Sequence, residues 1–368
     1  MKVWRWYAFG DMRLEEEPMP EVQPGWVVAK VRVVQASITD AERAMGIPTN
    51  DTELVRKLIA ENAPIKLFGH ELCAEVVEVG EGVTNLKVGD RVAARSRMPC
   101  HKCNVCLAGH PEWCRKGPTV GRYIPGGFAE FLALPAEILA PLPGSISDNE
   151  GASIQPSSGA VSAVATAHLK MGDTVLVLGQ GCMGNYTMQV ARFSGAGKVI
   201  TTDVRSEALA FSRKLGADCV IDATKDDPRE IVMEMTNGIG ADIIFDTAGG
   251  DPKAGLAGSG TLSAAFDIVR NEGKVVQIAH IGSQVTLSLD LLRTKGIKYF
   301  MPAPTTQRIF QHTVNLVATG RLQLKPLITH VLEGLDKAPQ AIEMTLNKAK
   351  YKIMNPAQVV VSGDDCQA

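Results

Sequence analysis

The sequence lacks both a long apolar run and an excess of one charge. Its 38 Lys and Arg residues nearly balance its 40 Asp and Glu residues, which gives a net charge of -2. This balance gives no basis for binding nucleic acid or an anionic membrane surface. No apolar run reaches the ~18 residues of a spanning helix, and the first residues lack the apolar core of a secretory signal. We therefore expect a cytoplasmic protein with no nucleic-acid or membrane partner.

Cysteine is sparse except in one short segment. Four of the eight cysteines lie within residues 100–114, with the spacing Cys-x2-Cys-x2-Cys-x7-Cys. In a reducing compartment this clustering favours a metal over disulfides, and four thiolates suit tetrahedral zinc. A closed four-ligand shell stabilises a loop and does no chemistry, whereas the alternative is a set of free buried thiols. The predicted ligands of this structural zinc are Cys100, Cys103, Cys106 and Cys114, and we interpret His101 and His110 as surface residues.

The segment Thr174–Asp203 has the strand, glycine turn, helix and strand order of a dinucleotide-binding unit. Gly179 permits a sharp turn, Gly181 lets a pyrophosphate approach the backbone, and Gly184 lets the helix pack against the strand. The free N–H groups at the helix N-terminus favour the phosphate charge. The alternative is a glycine turn in some other α/β domain. The predicted cofactor-binding residues are Gly179, Gly181, Cys182, Met183, Gly184, Asp203, Arg205, Thr247 and Ala279.

Asp203 indicates which nicotinamide cofactor is bound. It lies 19 residues after Gly184, near the position of a carboxylate that binds a ribose 2′-OH. A 2′-phosphate is repelled by such a carboxylate, so NAD is favoured over NADP. Arg205 is the opposing feature, because an arginine there can bind a 2′-phosphate.

Strands and helices continue to alternate beyond Asp203, which predicts a doubly wound parallel sheet and an α/β fold class. The length of 368 residues is enough for two domains. A helix is predicted over residues 151–168, and a strand over residues 274–279. The final predicted strand, residues 357–361, is expected to return to the first domain.

The order of several motifs resembles the zinc-containing medium-chain alcohol/polyol dehydrogenase family. These motifs are Gly69-His70-Glu71, the cysteine segment, residues 88–92, residues 127–130 and the glycine turn. The resemblance implies a GroES-like β-rich catalytic domain, formed by residues 1–155 and 304–368 with a zinc lobe at 95–118. It also implies a Rossmann domain at 156–303, a substrate cleft between the two domains, and a homo-dimer or homo-tetramer.

The resemblance further implies a catalytic zinc, but two ligand positions depart from the family pattern. Ser37 stands where the family has a cysteine, and Gln155 where it has Cys, Asp or Glu. A neutral hydroxyl and a neutral amide are poor zinc ligands, which leaves His70 and Glu71. Either these two form a zinc site in which Glu71 ligates, or they are a remnant held by hydrogen bonds. We expect one tightly bound zinc per chain, in the cysteine lobe, and a cleft that is empty or weakly occupied.

The family's proton relay is only partly matched. Thr39 keeps the hydroxyl position of the relay, and Glu42 stands about where a histidine is expected. Glu42 either accepts a proton or is a solvated acid, and the sequence favours neither. The candidate catalytic residues are therefore Ser37, Thr39, Glu42, His70 and Glu71.

These features predict an NAD(H)-dependent oxidoreductase that transfers a hydride between the nicotinamide and a secondary alcohol or ketone, with a small molecule as substrate. Two alternatives remain. One is a zinc-independent reductase of an activated C=C bond, and the other is an NAD-binding protein without turnover. The incomplete ligand set favours the alternatives, whereas four retained residues favour the dehydrogenase: Thr39, Asp40, His70 and Glu71.

Overall fold

The computed structural model describes residues 1–49, 51–250, 258–281 and 285–362. The chain forms two compact units. The first consists of Met1–Pro156, Thr305–Ala318 and Ile328–Ala368, and the second of Ser157–Pro304 and Thr319–Leu327. The domain boundaries given above remain a prediction.

The first unit is built on β-strands, numbered here in chain order along the whole chain. They are β1 (Lys2–Ala8), β2 (Asp11–Glu16), β3 (Trp26–Gln35), β4 (Glu71–Val79), β5 (Arg91–Ala94), β6 (Phe131–Pro135), β7 (Leu139–Pro141), β14 (Val331–Glu333) and β15 (Gln358–Val360). A seven-stranded sheet has the order β14-β15-β3-β4-β5-β7, with β6 also pairing β3. β3 is almost entirely buried, because it has a neighbour on each side and an apolar sequence. β15 near the end of the chain pairs with β3, so the tail does return to this sheet.

Short helices flank the strands of the first unit. They are α1 (Ile38–Ala44), α2 (Thr52–Asn62), α3 (Asn104–Leu107), α4 (Asp148–Ala152), α11 (Gln307–Ala318), α12 (Ala338–Leu346) and α13 (Lys348–Tyr351). A further helix, α5 (Ile154–Ala167), begins in this unit and continues into the second. The helix predicted over residues 151–168 is thus divided at Ser153, where the C-cap of α4 precedes the start of α5.

An aromatic cluster supports the loop that enters β4. The rings of Trp6 and Phe68 meet edge to face with centroids 4.7 Å apart, and Phe128 lies 6.0 Å from Trp6. All three side chains are fully buried. Because Phe68 directly precedes Gly69-His70-Glu71, this packing fixes the backbone from which His70 projects.

The second unit is a six-stranded parallel sheet with the order β10-β9-β8-β11-β12-β13. Its strands are β8 (Thr174–Leu178), β9 (Lys198–Asp203), β10 (Cys219–Asp222), β11 (Ala241–Asp246), β12 (Val269–Gln277) and β13 (Lys298–Phe300). Its helices are α6 (Cys182–Phe193), α7 (Ser206–Lys214), α8 (Pro228–Met235), α9 (Gly260–Ile268) and α10 (Leu289–Lys295). The α/β fold class, with a GroES-like β domain and a Rossmann sheet, is confirmed.

Two local features differ from the sequence-based expectation. β12 begins at Val269, earlier than the strand predicted over residues 274–279. The antiparallel hairpin of β1 and β2 was not predicted. Across the part of the chain that the structure describes, no helix has both the length and the apolar character needed to cross a membrane.

Candidate active site, dinucleotide site and zinc lobe

The four clustered cysteines converge in one lobe of the first unit. Their Sγ atoms all lie within 4.8 Å of one another. The Sγ atom of Cys106 is 4.0 Å from that of Cys100 and 3.5 Å from that of Cys103, and the Cys103 and Cys114 sulfurs are 3.9 Å apart. A tetrahedral zinc with bonds of about 2.3 Å separates its sulfur ligands by about 3.8 Å. The four thiols therefore match a zinc shell without rearrangement.

The two histidines of this lobe lie outside that shell. The side chains of His101 and His110 are 60% and 64% exposed. His101 pairs through Nε2 with Glu137 at 2.8 Å. Both residues are on the surface, as the sequence analysis predicted.

The glycine turn of the second unit requires glycine at two positions for steric reasons. Gly179 has a positive φ of 84°. A Cβ atom on Gly184 would lie 1.9 Å from the Gly179 carbonyl oxygen, so α6 approaches the end of β8 more closely than a side chain permits. Gly181 caps α6 and has open space where a Cβ atom would be, its nearest neighbour being Arg205 at 3.9 Å. The first N–H groups of α6, at Cys182, Met183 and Gly184, are therefore placed beside a cradle suited to a phosphate.

Asp203 at the end of β9 connects the glycine turn to the next loop. Its Oδ2 accepts a hydrogen bond from the Gln180 backbone N–H at 2.6 Å, and its Oδ1 accepts one from the Arg205 N–H at 2.8 Å. The Arg205 guanidinium Nε lies 3.6 Å from Oδ1. An acid and a base thus lie together at the position that contacts the cofactor ribose in this type of unit.

A cavity of about 370 Å³ opens beside Asp203 in the second unit. Leu178, Asp203, Val204 and Ile268 are among the residues that border it. Next to the turn, Thr247 Oγ1 donates hydrogen bonds to the carbonyls of Leu178 and Gly179, each at 2.8 Å. The Ala279 N–H donates to the Asp246 carbonyl at 2.9 Å. These groups line the carboxyl ends of the strands, where open α/β sheets bind their ligands.

His70 in the first unit is held by Asp40. The Asp40 Oδ2 atom lies 2.7 Å from His70 Nδ1, and it also accepts the backbone N–H groups of Gly69 at 2.8 Å and His70 at 3.1 Å. Burial opposes the charge of Asp40, but His70 and Arg43 outweigh it and lower the pKa of this carboxyl to about 2. Burial also disfavours an imidazolium, but the Asp40 carboxylate outweighs burial and raises the pKa of His70. His70 is therefore fixed through Nδ1, with Nε2 directed elsewhere.

Glu71 lies beside the other ring nitrogen. Its Oε1 is 3.9 Å from His70 Nε2, and its Oε2 accepts a hydrogen bond from the Gln35 side-chain amide. Burial raises the pKa of Glu71 to about 7, although His70 and the Gln35 hydrogen bond oppose this rise. The carboxyl is therefore poised to gain or lose a proton near neutral pH.

Two hydroxyl groups lie on the same stretch as Asp40. Ser37 caps α1, because its Oγ accepts the Asp40 N–H at 3.1 Å, and it lies 3.3 Å from Thr39 Oγ1. The structure thus connects the predicted residues Ser37, Thr39, His70 and Glu71 through Asp40 and short contacts. Glu42 lies half-buried on α1, and Gln155 lies half-buried in the first turn of α5. The catalytic roles of these residues remain predictions.

Two family models match the chain. One is described as "Alcohol dehydrogenase GroES-like domain" and covers residues 23–144, and the other as "Zinc-binding dehydrogenase" and covers residues 182–319. The chain is 32% identical over 343 residues to an L-threonine 3-dehydrogenase from Rhizobium rhizogenes, and the match covers 90% of each chain. The chain belongs to the zinc-binding medium-chain dehydrogenases. The predicted resemblance is confirmed.

Solved structures of this family have the same fold. An oxidoreductase/dehydrogenase of unknown specificity from Escherichia coli superimposes with a TM-score of 0.87 and 25% identity, covering 99% of this chain and 100% of that one. The 2R,3R-butanediol dehydrogenase of Bacillus subtilis superimposes with a TM-score of 0.82 and 26% identity, covering 99% of each chain. The chain is therefore an NAD(P)-dependent dehydrogenase of small molecules, and its cysteine lobe is a structural four-cysteine zinc site.

The His70 site of this dehydrogenase is much less suited to binding a metal than the cysteine lobe is. In the described ranges, the cysteine lobe is the one group of three or more Cys, His, Asp or Glu residues whose ligand atoms lie within 4.8 Å of one another. At the His70 site, the Ser37 hydroxyl already serves as a helix cap, and Gln155 adds no charge. These donors do not fit a tightly held second zinc.

One residue of the dehydrogenase site was missed by sequence reasoning, and another was named without a role. Asp40 was counted with the retained motif residues, but its contact with His70 was not predicted. Gln35 ends the apolar strand β3, and a glutamine at this place carried no signal of its own. Its contact with Glu71 depends on the pairing of β3 with β4.

Proposed function

We propose that this protein is an NAD(H)-dependent dehydrogenase that interconverts a secondary alcohol and a ketone. The observation that carries the proposal is the Asp40–His70–Glu71 arrangement, because it holds an imidazole beside a carboxyl whose pKa is about 7. The names of its relatives agree with this substrate class. L-threonine 3-dehydrogenase and 2R,3R-butanediol dehydrogenase are both named for alcohols that carry a secondary hydroxyl group.

The side chains of the first unit supply the acid–base chemistry in this proposal. Oxidation of a secondary alcohol removes a hydride from carbon and a proton from oxygen, and the bound nicotinamide accepts the hydride. The Thr39 and Ser37 hydroxyls, 3.3 Å apart, hydrogen-bond to the substrate oxygen. The pair of His70 and Glu71 receives the proton. Glu42 is either a further proton acceptor or a solvated acid.

Asp203 is proposed to select NAD(H) over NADP(H). Its two oxygens are held by the N–H groups of Gln180 and Arg205, so the carboxylate stays at the ribose end of the turn. We expect NAD(H) to bind at least ~10-fold more tightly, which is about 1.4 kcal/mol. Titration of NADH and NADPH by fluorescence measures this ratio, and equal affinities would reject the role of Asp203 and favour Arg205 as a 2′-phosphate ligand.

A second candidate function is the zinc-independent reduction of an activated C=C bond. It is favoured by Ser37 and Gln155, because the site then has neutral groups where a catalytic zinc would need anionic ligands. A protein that binds NAD(H) without turnover is the third candidate.

The assembly as a homo-dimer or homo-tetramer and the two predicted domains are proposed on the family resemblance. Light scattering at micromolar concentration measures the mass of the assembly.

One panel of assays separates the three functions. Purified protein is given NAD⁺ or NADP⁺ with secondary alcohols, including L-threonine and 2,3-butanediol, and NADH or NADPH with ketones and enones. Turnover of alcohols and ketones, abolished in His70→Asn and retained in His312→Asn, supports the proposal, since His312 is exposed on α11. Turnover confined to enones supports the second function. Cofactor binding without turnover of any substrate supports the third.

A further inference from the structure

Three polar residues form a row across three neighbouring strands, and the last of them, Glu71, directly follows His70 in the chain. Gln358 on β15 pairs with Gln35 on β3, and Gln35 pairs in turn with Glu71 on β4. Side chains of directly paired residues share one face of a sheet, so the three lie next to one another. Gln35 and Gln358 are fully buried, and Glu71 is 6% exposed. Polar groups this deep in a sheet must be hydrogen-bonded to be tolerated.

The hydrogen bonds define which way the amide of Gln35 points. Gln358 Nε2 donates to the backbone carbonyl of Asn149 at 2.9 Å, and a carbonyl only accepts. The same nitrogen donates to Gln35 Oε1 at 2.9 Å. The other side of the Gln35 amide, its Nε2 atom, must therefore face Glu71, and it donates to Glu71 Oε2.

Two more donors secure the same orientation. The Ser153 hydroxyl donates to Gln35 Oε1 at 3.0 Å, and the Asn355 amide also donates to this oxygen. Asn355 additionally donates to Ser153 Oγ at 2.9 Å. Ser153 and Asn355 are 0% and 1% exposed, so water does not compete for these bonds. Rotating the Gln35 amide by 180° would place its N–H groups against these donors.

We propose that Gln35 is a positioning residue that holds Glu71 so that one carboxyl oxygen faces His70. The proposal rests on the function proposed above, in which the pair of His70 and Glu71 receives the substrate proton. Gln35 engages Oε2, which leaves Oε1 at 3.9 Å from His70 Nε2. This separation is too long for a hydrogen bond. His70 Nε2 therefore stays available to a substrate and is not bonded to Glu71.

Removal of the Gln35 donor changes where Glu71 lies. A buried carboxyl oxygen without a hydrogen-bond partner is unfavourable, and a rotation of Glu71 toward His70 relieves this. Crystal structures of the wild type and of Gln35→Met report this directly. We expect the Oε1–Nε2 separation to fall from 3.9 Å to about 2.8 Å in the variant. An unmoved Glu71 in Gln35→Met would overturn the proposal.

A double-mutant cycle tests whether Gln35 acts through Glu71. Gln35→Met is expected to lower kcat/KM by about 10-fold or more, as removal of a supporting hydrogen bond does at comparable sites. In a Glu71→Gln background, the same substitution is expected to change kcat/KM by less than about 2-fold. Additive effects in the two backgrounds would show a general structural role and would contradict the proposal.

Thr313→Val is the matched control. It removes another buried hydrogen bond of the first unit, from Thr313 Oγ1 to the Ile309 carbonyl at 2.9 Å on α11, outside the hydrogen bonds described around Gln35. We expect a fall in Tm, with kcat/KM reduced by less than about 2-fold. An equal loss of kcat/KM in both variants would overturn the proposal. If the wild type has no turnover on the panel, the proposed function fails, and the position of Glu71 in the two crystal structures still decides the role of Gln35.

Discussion

The cysteine lobe and the His70 site both carry candidate zinc ligands, yet they differ in what those ligands already bind. In the lobe, the four sulfurs are within 4.8 Å of one another. At the His70 site, Asp40 accepts three N–H groups, Glu71 accepts the Gln35 amide, and Ser37 caps a helix. The ligands of the lobe therefore converge on one point, whereas the polar groups of the His70 site are already engaged in hydrogen bonds within the protein.

This difference shows that ligand type is not enough to identify a metal site. A thiol makes only weak hydrogen bonds, and the four lobe cysteines form no disulfides, so their convergence points to a metal. A carboxylate or imidazole has many alternative partners. Where those partners are present, as Gln35 is for Glu71, the group has a use that needs no metal.

The largest expected effect comes from breaking the lobe. Cys103→Ser is expected to reduce the zinc content from about one per chain to near zero, because the remaining three thiolates no longer close the shell. Hydrogen exchange within residues 95–118 should then accelerate by about 100-fold or more. Mass spectrometry of the metal and of the exchanged amides measures both effects. Cys219→Ser, a half-buried cysteine on β10, is the control, and retained zinc in Cys103→Ser would reject the lobe assignment.

Adding the missing ligand types should make the His70 site bind zinc as the cysteine lobe does. Ser37→Cys combined with Gln155→Glu is expected to raise the zinc stoichiometry from one toward two per chain, with the second ion bound at least ~100-fold more tightly than in the wild type. Ser145→Cys combined with Gln323→Glu adds the same side chains at exposed positions as a control. Two zincs per wild-type chain, the second contacting His70, would show that Glu71 or water completes the natural site.

Weakening the contact between Asp40 and His70 is expected to lower turnover without removing the zinc of the lobe. Asp40→Asn weakens the contact to His70 Nδ1, so kcat/KM should fall by about 10- to 100-fold. Asp290→Asn, in which an acid with an 89% exposed side chain is changed, should have no effect. Unchanged kcat/KM in Asp40→Asn would contradict the role of the Asp40–His70 pair.

The smallest expected effect is a dependence of stability on pH. The folded pKa of Glu71 is raised from its ordinary value to about 7, so its contribution is fully present below about pH 4.5 and is lost as the pH rises through 7. From pH 5 to pH 8, the free energy of unfolding of the wild type should fall by about 2–3 kcal/mol relative to Glu71→Gln. Urea titrations across this range measure the difference.

Glu53→Gln is the matched control for that measurement. Glu53 is a carboxyl on α2 with an 85% exposed side chain, and it pairs with Arg56. Its substitution should leave the slope of stability against pH as in the wild type. A parallel slope for the wild type and Glu71→Gln would refute the titration assigned to Glu71.

The features that the sequence analysis predicted well are those formed within short segments. The cysteine lobe and the glycine turn each lie within 15 residues, so their spacing alone indicates their geometry. Gln35 could not be recognised in this way. Its neighbours Glu71 and Gln358 are supplied by strand pairings that join distant parts of the chain, and a buried glutamine has no characteristic local pattern. The exposure of His101 was predictable because four cysteines already filled the shell.

The pairing of β15 with β3 also sets an order for the assembly of this protein during its synthesis. The hydrogen bond between Gln358 and Gln35 joins residues 323 positions apart in the chain. At about 5–20 residues per second, a ribosome adds Gln358 roughly 15–65 s after Gln35. The second unit ends at Leu327, so its whole sequence is synthesised before the strand that contributes Gln358. The hydrogen-bond network around Gln35 is therefore completed only after the nucleotide-binding unit has been made.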